Sequence, residues 1–404
     1  MKFKIAPHSI MQSVLEMEDP ILKAQMVSLL VKDFKKIYIS TWEQLGEGTE
    51  KTENAEDAKK QIDELYEYLK KIQEESSSPT KKMVLKKIET ALNEKKYPAE
   101  ITEMIEDDIQ KFQDLSENYP EFQTIKDFLE LVAELPYGIH SEDNFDIVKA
   151  RDILDGDHYG MEKVKERILE FIAVSKLRGG IKGKNILLVG PPGVGKTSIA
   201  SSIARCLNRE FVRISLGGES DVSLLKGHRK TYLGAYPGKL VQALKKTQTE
   251  NPVILLDEID KITTGYKGNI QDCLLEILDP QQNFSFKDNF LEASLDLSKV
   301  LFVCSANLLE TISPPVRDRL EIIQLSGYTI KEKKKIAFNH LLPDAIEKTG
   351  LDSEKIKITP EAMEEIIQKY AREAGVRSLE KKILRLCEKV IFLNLYIFIK
   401  FRFV

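Results

Sequence analysis

Cysteine is scarce and scattered. Cys206, Cys273, Cys304 and Cys387 form no CxxC pair and no Cys/His cluster of metal-ligand spacing, which excludes a zinc ribbon, a dithiol redox centre and a disulfide framework. They read as reduced, mostly buried thiols of an intracellular compartment. An excess of charge of one sign is also missing: 60 basic and 64 acidic side chains give a formal net charge of -4, so the overall balance demands neither a nucleic acid nor an anionic membrane. No long apolar run is present. The stretch Val390 to Ile399, interrupted by Asn394, falls short of the ~20 residues that a membrane-spanning helix needs and reads as a terminal strand or a misfit tail. No secretory leader is expected, because Met1-Lys2-Phe3-Lys4 is followed by a mixed stretch and not by an apolar core. What is there is 42% hydrophobic in 404 residues, enough for two or three domains, since single cores stop growing near 250 to 300 residues.

The amino-terminal third is rich in Lys and Glu and poor in Gly. Ile62, Leu65, Tyr66, Leu69 and Ile72 recur at helical spacing, Ser76-Ser77-Ser78-Pro79 interrupts, and Val84, Leu85, Ile88 and Leu92, then Ile101, Met104, Ile105 and Ile109, continue the periodicity. A third helix near Phe122 to Leu135 ends at Pro136-Tyr137-Gly138. From Asn144 onward, helices marked by Ile153, Val164, Ile168 and Ile172 alternate with short apolar runs: Asn185 to Val189, Phe211 to Ile214, Val253 to Leu256 and Val300 to Val303. Nearly continuous apolar strands separated by helices predict a parallel sheet covered on both faces. After about residue 328 the pattern is helical again, through Ile366, Ile367, Tyr370, Leu379, Ile383 and Leu384.

The chemistry starts at Gly190-Pro191-Pro192-Gly193-Val194-Gly195-Lys196-Thr197. Its glycines let backbone amides approach and cradle phosphate oxygens, Lys196 can reach the terminal phosphates, and Thr197 can ligate magnesium. An apolar strand before it and the helix start Ser198-Ile199-Ala200 after it supply the context that separates this loop from a chance glycine turn. Val253-Ile254-Leu255-Leu256 ends in Asp257-Glu258, placing a magnesium-holding Asp beside a water-polarising Glu. In isolation such a pair is as readily the acidic cap of a helix; downstream of the glycine loop it reads as the second half of an ATPase site. Asn307 follows the Val300 to Val303 strand and suits the orientation of a water, although an Asn closing a turn accounts for it as well. In Pro314-Pro315-Val316-Arg317-Asp318-Arg319 an arginine is available to neutralise transition-state charge, and surface ion pairing is the plain alternative. Tyr232 and Leu233 lie on a loop bounded by Gly227 and Gly238; composition alone favours packing, with base stacking as a second reading. His228 has no His or Cys partner nearby and reads as a loop-holding residue.

Taken together, these motifs resemble the Lon protease family. The glycine loop, Leu216-Gly217-Gly218, Gly227 to Tyr232, Asp257 to Lys261, Leu278 to Asn283, Asp296 to Val300, Gly327-Tyr328-Thr329 and Arg372 to Arg377 carry the match, closely over residues 150–388 and more loosely before. The segments 157–175 and 245–252 look most like the mitochondrial members. The resemblance implies an α/β fold: an AAA+ P-loop module over residues 146–327, a small helical lid over 328–389, a preceding helical arm over 1–145 and an atypical tail over 390–404. It implies ATP and Mg2+ as ligands, with Lys196 and Thr197 on phosphate and metal, Asp257 on the metal, Glu258 as activator of water and Asn307 as first sensor. It further assigns Arg319 as a finger acting on a neighbouring subunit, Arg377 as second sensor in the lid, and His158 and Tyr159 around the adenine. Tyr232 and Leu233 become a pore-loop pair gripping substrate, reversing the compositional preference for packing. The implied protein is a motor that unfolds and translocates unfolded or damaged proteins for degradation, in a homo-oligomeric ring of six in the mitochondrial matrix, with DNA binding known in the family but unsupported by this charge balance. Departures are mild at Tyr137, Lys230 and Leu320, where the family usually has Trp, Arg and Met, and Gly268-Asn269-Ile270 replaces Gly-Asp-Pro. The Ser/Lys proteolytic domain expected after the lid has no counterpart, so peptidase activity is not expected of this chain alone; the tail fits the picture of a truncated gene model. A non-proteolytic AAA+ remodeller is the alternative.

Overall fold

The computed structural model describes residues 79–402 except residues 182, 233, 264–268 and 353–355, with side chains up to residue 393. The amphipathic stretch Ile62 to Ile72 and the pore-loop Leu233 therefore lie outside the described residues. Chain contacts divide the molecule into two compact units between Glu134 and Leu135.

In the first unit the described residues form three helices, α1 (Pro79–Glu94), α2 (Ala99–Asp114) and α3 (Pro120–Glu134). Each buries the stripe its periodicity predicts: Val84 and Ile88 on α1, Ile101, Ile105 and Phe112 on α2, Phe122, Phe128 and Leu129 on α3. Phe112 and Phe122 stack at 4.7 Å. Lys81 Nζ donates to the carbonyls of Gln113 and Leu115 at 2.8 and 2.6 Å, satisfying acceptors left free at the end of α2.

The second unit opens with α4 (Ile147–Asp157), started by Asp146, whose carboxylate accepts from Val148 N and Lys149 N, and α5 (Glu162–Leu177). Then β1 (Asn185–Val189), α6 (Lys196–Leu207), β2 (Phe211–Ser215), α7 (Lys239–Thr247), β3 (Val253–Asp257), α8 (Ile270–Leu278), β6 (Leu301–Ala306) and β7 (Leu320–Gln324) follow, with a small antiparallel pair, β4 (Phe286–Lys287) and β5 (Ser294–Leu295), before β6. The five main strands are parallel in the order β2-β3-β6-β1-β7. The central strands β1, β3 and β6 are buried throughout, whereas the edges β2 and β7 are only partly buried, which is why the edges carry Arg213, Glu321 and Gln324 among their apolar residues. Ile186, Leu188, Val253, Leu255, Leu301 and Val303 pack on one face against Leu154, Ile168, Ile172, Ile199 and Ile203 of α4, α5 and α6.

The edge strand β7 has no counterpart among the runs read from the sequence. Its Glu321 and Gln324 interrupt the apolar pattern, and only pairing with β1 makes it a strand. A helical layer follows: α9 (Ile330–Ile336), α10 (Leu342–Thr349), α11 (Pro360–Glu365) and α12 (Arg377–Arg402), with π-helical turns at Ala337–Leu341 and Ile366–Tyr370. They share a core of Met363, Ile367, Leu379, Ile383 and Cys387. The run from Val390, read above as a terminal strand or misfit tail, is corrected: it continues α12 as helix.

Candidate functional site

The carboxyl ends of β1, β3 and β6 lie side by side, with β1 and β6 paired from Ile186↔Val303 to Val189↔Ala306 and β3 and β6 from Val253↔Leu301 to Leu256↔Cys304. In open parallel sheets this is where ligands bind. β1 runs into the glycine loop, and the loop into α6, capped by Gly195 at φ 92° with no side-chain cap bond. The first amides of α6 are thus left for an anion, with the helix dipole behind them.

Lys196 Nζ donates to Gly190 O at 2.6 Å, Pro191 O at 3.1 Å and Asn307 Oδ1 at 2.8 Å. Burial lowers its pKa, while Asp260, Asp257 and Glu258, in that order, oppose the shift. Asn307, one residue past β6, is thereby brought against the phosphate loop from more than a hundred residues away in sequence, a juxtaposition only the strand order creates.

Asp257 closes β3 and is almost fully buried. Its Oδ2 accepts from Arg213 of β2 at 2.7 Å, and its Oδ1 accepts from the Ser305 hydroxyl. The same Ser305 oxygen accepts the Glu258 amide at 3.1 Å. Glu258 sits in the left-handed region, φ 60° and ψ 45°, a conformation costing about 1–3 kcal/mol in a non-glycine residue and concentrated at functional sites. Its carboxylate is held by Lys261 Nζ at 2.7 Å, which raises the pKa of Lys261 through that hydrogen bond. Gly217 makes room: a Cβ there would overlap Glu258 Oε2. Leu216 N donates to Asp257 O at 2.9 Å and Gly218 N to Lys261 O at 3.0 Å, so the Leu-Gly-Gly segment is the floor on which the acidic pair rests.

The helical layer docks on the phosphate loop backbone to backbone. Val376 N donates to Gly193 O at 2.9 Å, Tyr328 N to Ala374 O at 2.9 Å, and Tyr328 Oη to Val194 O at 2.9 Å. Burial pushes the Tyr328 hydroxyl up to about 12, so it stays a donor. A Cβ on Gly375 would overlap Pro192 O and Gly193 backbone, and one on Gly193 would meet Arg377 Cβ at 2.9 Å. The motif Arg372 to Arg377 is thus a contact surface for the glycine loop, and its last residue, Arg377, starts α12.

Comparison with known proteins decides the family. The family model for the ATPase family associated with various cellular activities (AAA) matches residues 186–328, and that for the Lon protease AAA+ ATPase lid domain matches residues 347–395. The chain belongs to the Lon family, as an AAA ATPase portion with its lid. It is 45% identical to the mitochondrial Lon protease homolog of Eremothecium gossypii over 94% of this chain and 36% of that protein. The human mitochondrial homolog is 47% identical over 80% of the chain and 34% of its own length. The Lon protease of Magnetococcus marinus is 52% identical over 72% and 36%. The chain thus spans about a third of the length of these relatives.

His158 is only 8% exposed and its Nε2 meets Ser202 Oγ of α6 at 2.9 Å, with Ser202 donating to Asp157 at 2.6 Å. Burial pushes His158 down to about 4, helped by Lys165 and His340, so the ring is neutral. Tyr159 is 39% exposed. Arg319 donates to Asp279 Oδ2 and to Pro315 O, both at 2.9 Å, and does not approach the centre formed by its own chain. The Tyr232 loop projects: Tyr232 is 63% exposed, while the loop base is closed by His228 N donating to Tyr236 O and by the buried Asp288, whose Oδ2 accepts Gly238 N at 2.8 Å.

Two contributors, Arg213 and Ser305, carry no motif signal of their own and matter through a partner on another strand. Asp260 and Lys261 lie inside the Asp257 to Lys261 motif, but the sequence assigns them no role, which appears only through their partners Asn307, Leu308 and Glu258. Gly217 belongs to a motif legible in the sequence, but its purpose becomes visible only beside Glu258.

Proposed function

We propose that this chain is the ATP-driven motor of a Lon-type ATP-dependent serine protease, which unfolds damaged or unfolded polypeptides and moves them toward degradation. The observation carrying the reading is the convergence of Lys196, Asp257, Glu258 and Asn307 on the adjacent ends of β1, β3 and β6. Relatives bearing protease names support it over a non-proteolytic remodeller.

In this reading the amides of residues 190–197 and the ammonium of Lys196 hold the ATP phosphates. His158 and Tyr159 close over the adenine. The Thr197 hydroxyl and the Asp257 carboxylate suit Mg2+, a hard cation that takes oxygen ligands and keeps waters and phosphate oxygens as its other partners. Bound there, the ion supplies charge neutralisation on the phosphates. Glu258 takes the proton of the attacking water, and Asn307 orients that water toward the γ-phosphorus. Arg319 acts on the nucleotide of a neighbouring subunit in a homo-oligomeric ring of six, and Arg377 couples nucleotide state to the lid through its junction with Gly193. Tyr232, with Leu233, grips the polypeptide. The arm, α/β module, lid and tail divide at residues 145, 327 and 389, and the mitochondrial matrix is the compartment its relatives' names support.

The test is Glu258→Gln. Nucleotide binding is expected to persist while turnover is lost, because the amide cannot accept the water's proton. Hydrolysis at the unsubstituted rate would refute the assignment.

A further inference from the structure

We propose that Asp260 is a positioning residue for ATP hydrolysis, holding the Asn307 loop so that the Asn307 amide stays over the phosphate loop. The inference rests on the reading of Asn307 given above and extends it to a residue outside the motif's reacting pair.

Asp260 lies in a 3-10 turn, Ile259–Lys261, directly after the left-handed Glu258. Its Oδ2 accepts the backbone amides of both Asn307 and Leu308, at 3.0 and 3.4 Å. These two amides have left the β6 ladder, which ends at Ala306, and backbone groups at such an exit must find another partner. A carboxylate supplies the strongest acceptor, since bonds to an ionised group are about twice as strong as neutral ones. From Asn307 the connection continues through Oδ1 to Lys196 Nζ at 2.8 Å. Asp260 is also first among the carboxylates that oppose the lowering of Lys196. One side chain on the turn after β3 therefore sets the loop after β6, and that loop meets the lysine after β1. Ser305 ties the same two strand ends together at Asp257 and Glu258, but reaches only the acidic pair. Without Asp260 nothing else among the described residues holds the Asn307 and Leu308 amides.

The experiment uses the full chain with Asp260→Ala, Asp260→Asn, Asn307→Ala and the double variant Asp260→Ala/Asn307→Ala. It reads steady-state ATP hydrolysis, fluorescent ADP binding, and hydrogen exchange at the amides of Asn307 and Leu308. Asp260→Ala is expected to lower kcat about ten-fold, equivalent to about 1.4 kcal/mol, with KM and ADP affinity little changed and exchange at both amides accelerated. Asp260→Asn keeps an acceptor oxygen and is expected to restore most of the loss. The double variant should be no slower than Asn307→Ala alone, since coupled residues are not additive. Asn307→Ala slow but Asp260→Ala at the unsubstituted rate, or unchanged exchange at both amides, overturns the proposal while leaving the Asn307 assignment standing. Asn307→Ala at the unsubstituted rate overturns the assignment and the proposal together. Should Asp260→Ala fail to bind ADP, Asp260→Ser decides: its short hydroxyl cannot reach both amides, so the same fall in kcat is expected and an unsubstituted kcat overturns the proposal. Hydrogen exchange in the ADP complex follows the same two amides independently of turnover.

Discussion

Replacing Gly375 by Ala tests whether the lid is seated on the phosphate loop through bare backbone. The added Cβ would overlap Pro192 O and the carbonyl group of Gly193; these are main-chain atoms and cannot rotate away. Reaching ordinary contact at 3.5–4.0 Å requires the two segments to part by about an ångström. That movement removes the bond from Val376 N to Gly193 O, worth about 1 kcal/mol net, and adds the overpacking cost of about 1–3 kcal/mol, for a total of about 2–4 kcal/mol. Because Gly193 belongs to the loop expected to cradle phosphate, ADP affinity should fall as well, about ten-fold for each 1.4 kcal/mol that reaches the loop. Urea unfolding monitored by circular dichroism and a fluorescent ADP titration read the two effects. Gly156→Ala is the matched control: it sits in α4 with open space around its Cβ and should stabilise by about 0.5–1 kcal/mol. If Gly375→Ala unfolds at the unsubstituted urea midpoint and binds ADP as tightly, the backbone seat is refuted.

Two further expectations follow from the same geometry. Gly217→Ala places a Cβ against the Glu258 carboxylate, a side-chain end that can swing; stability should change little while hydrolysis falls about 100-fold, the cost of a misplacement near 1 Å, and unchanged hydrolysis would show that Glu258 is not acting from this position. His158 is neutral when folded, with its pKa pushed down to about 4 by burial against an ordinary 6.5, so the unfolded chain binds its proton first as pH falls; stability is fully present above about pH 6.5 and declines toward pH 4. Between pH 7.5 and pH 5 the loss from this group is about 2 kcal/mol, and His158→Gln should flatten that part of the urea-midpoint profile; an unaltered slope would exclude His158 as its source.

The glycine loop, the acidic pair and the central strands could be read from sequence because each is local. β1 and β3 are buried on both faces and therefore continuous in apolar residues, and the phosphate loop needs its glycines and lysine at fixed spacing whatever surrounds them. The lid helices were legible for the same reason, through Ile366, Ile367, Leu379 and Ile383. β7 was not, since an edge strand with one exposed face carries a mixed pattern and is made a strand only by pairing with β1. The segment after Val390 misled because its apolar residues lack helical periodicity, yet it extends a helix already nucleated at Arg377, and propagation is far easier than nucleation.

The sequence by itself determined the family resemblance and the expected ATPase chemistry, because both reside in short segments whose residues would act on a ligand through their own backbone and side chains. Tertiary structure alone decided which residues support them. Arg213 and Ser305 reach Asp257, Asp260 reaches the Asn307 loop, Gly217 clears space for Glu258, and Gly375 meets Gly193. Each of these contacts joins segments far apart in the chain or fills a space that only a neighbouring strand end defines, and the parallel strand order that creates them is fixed by packing across the sheet and by no single stretch of sequence.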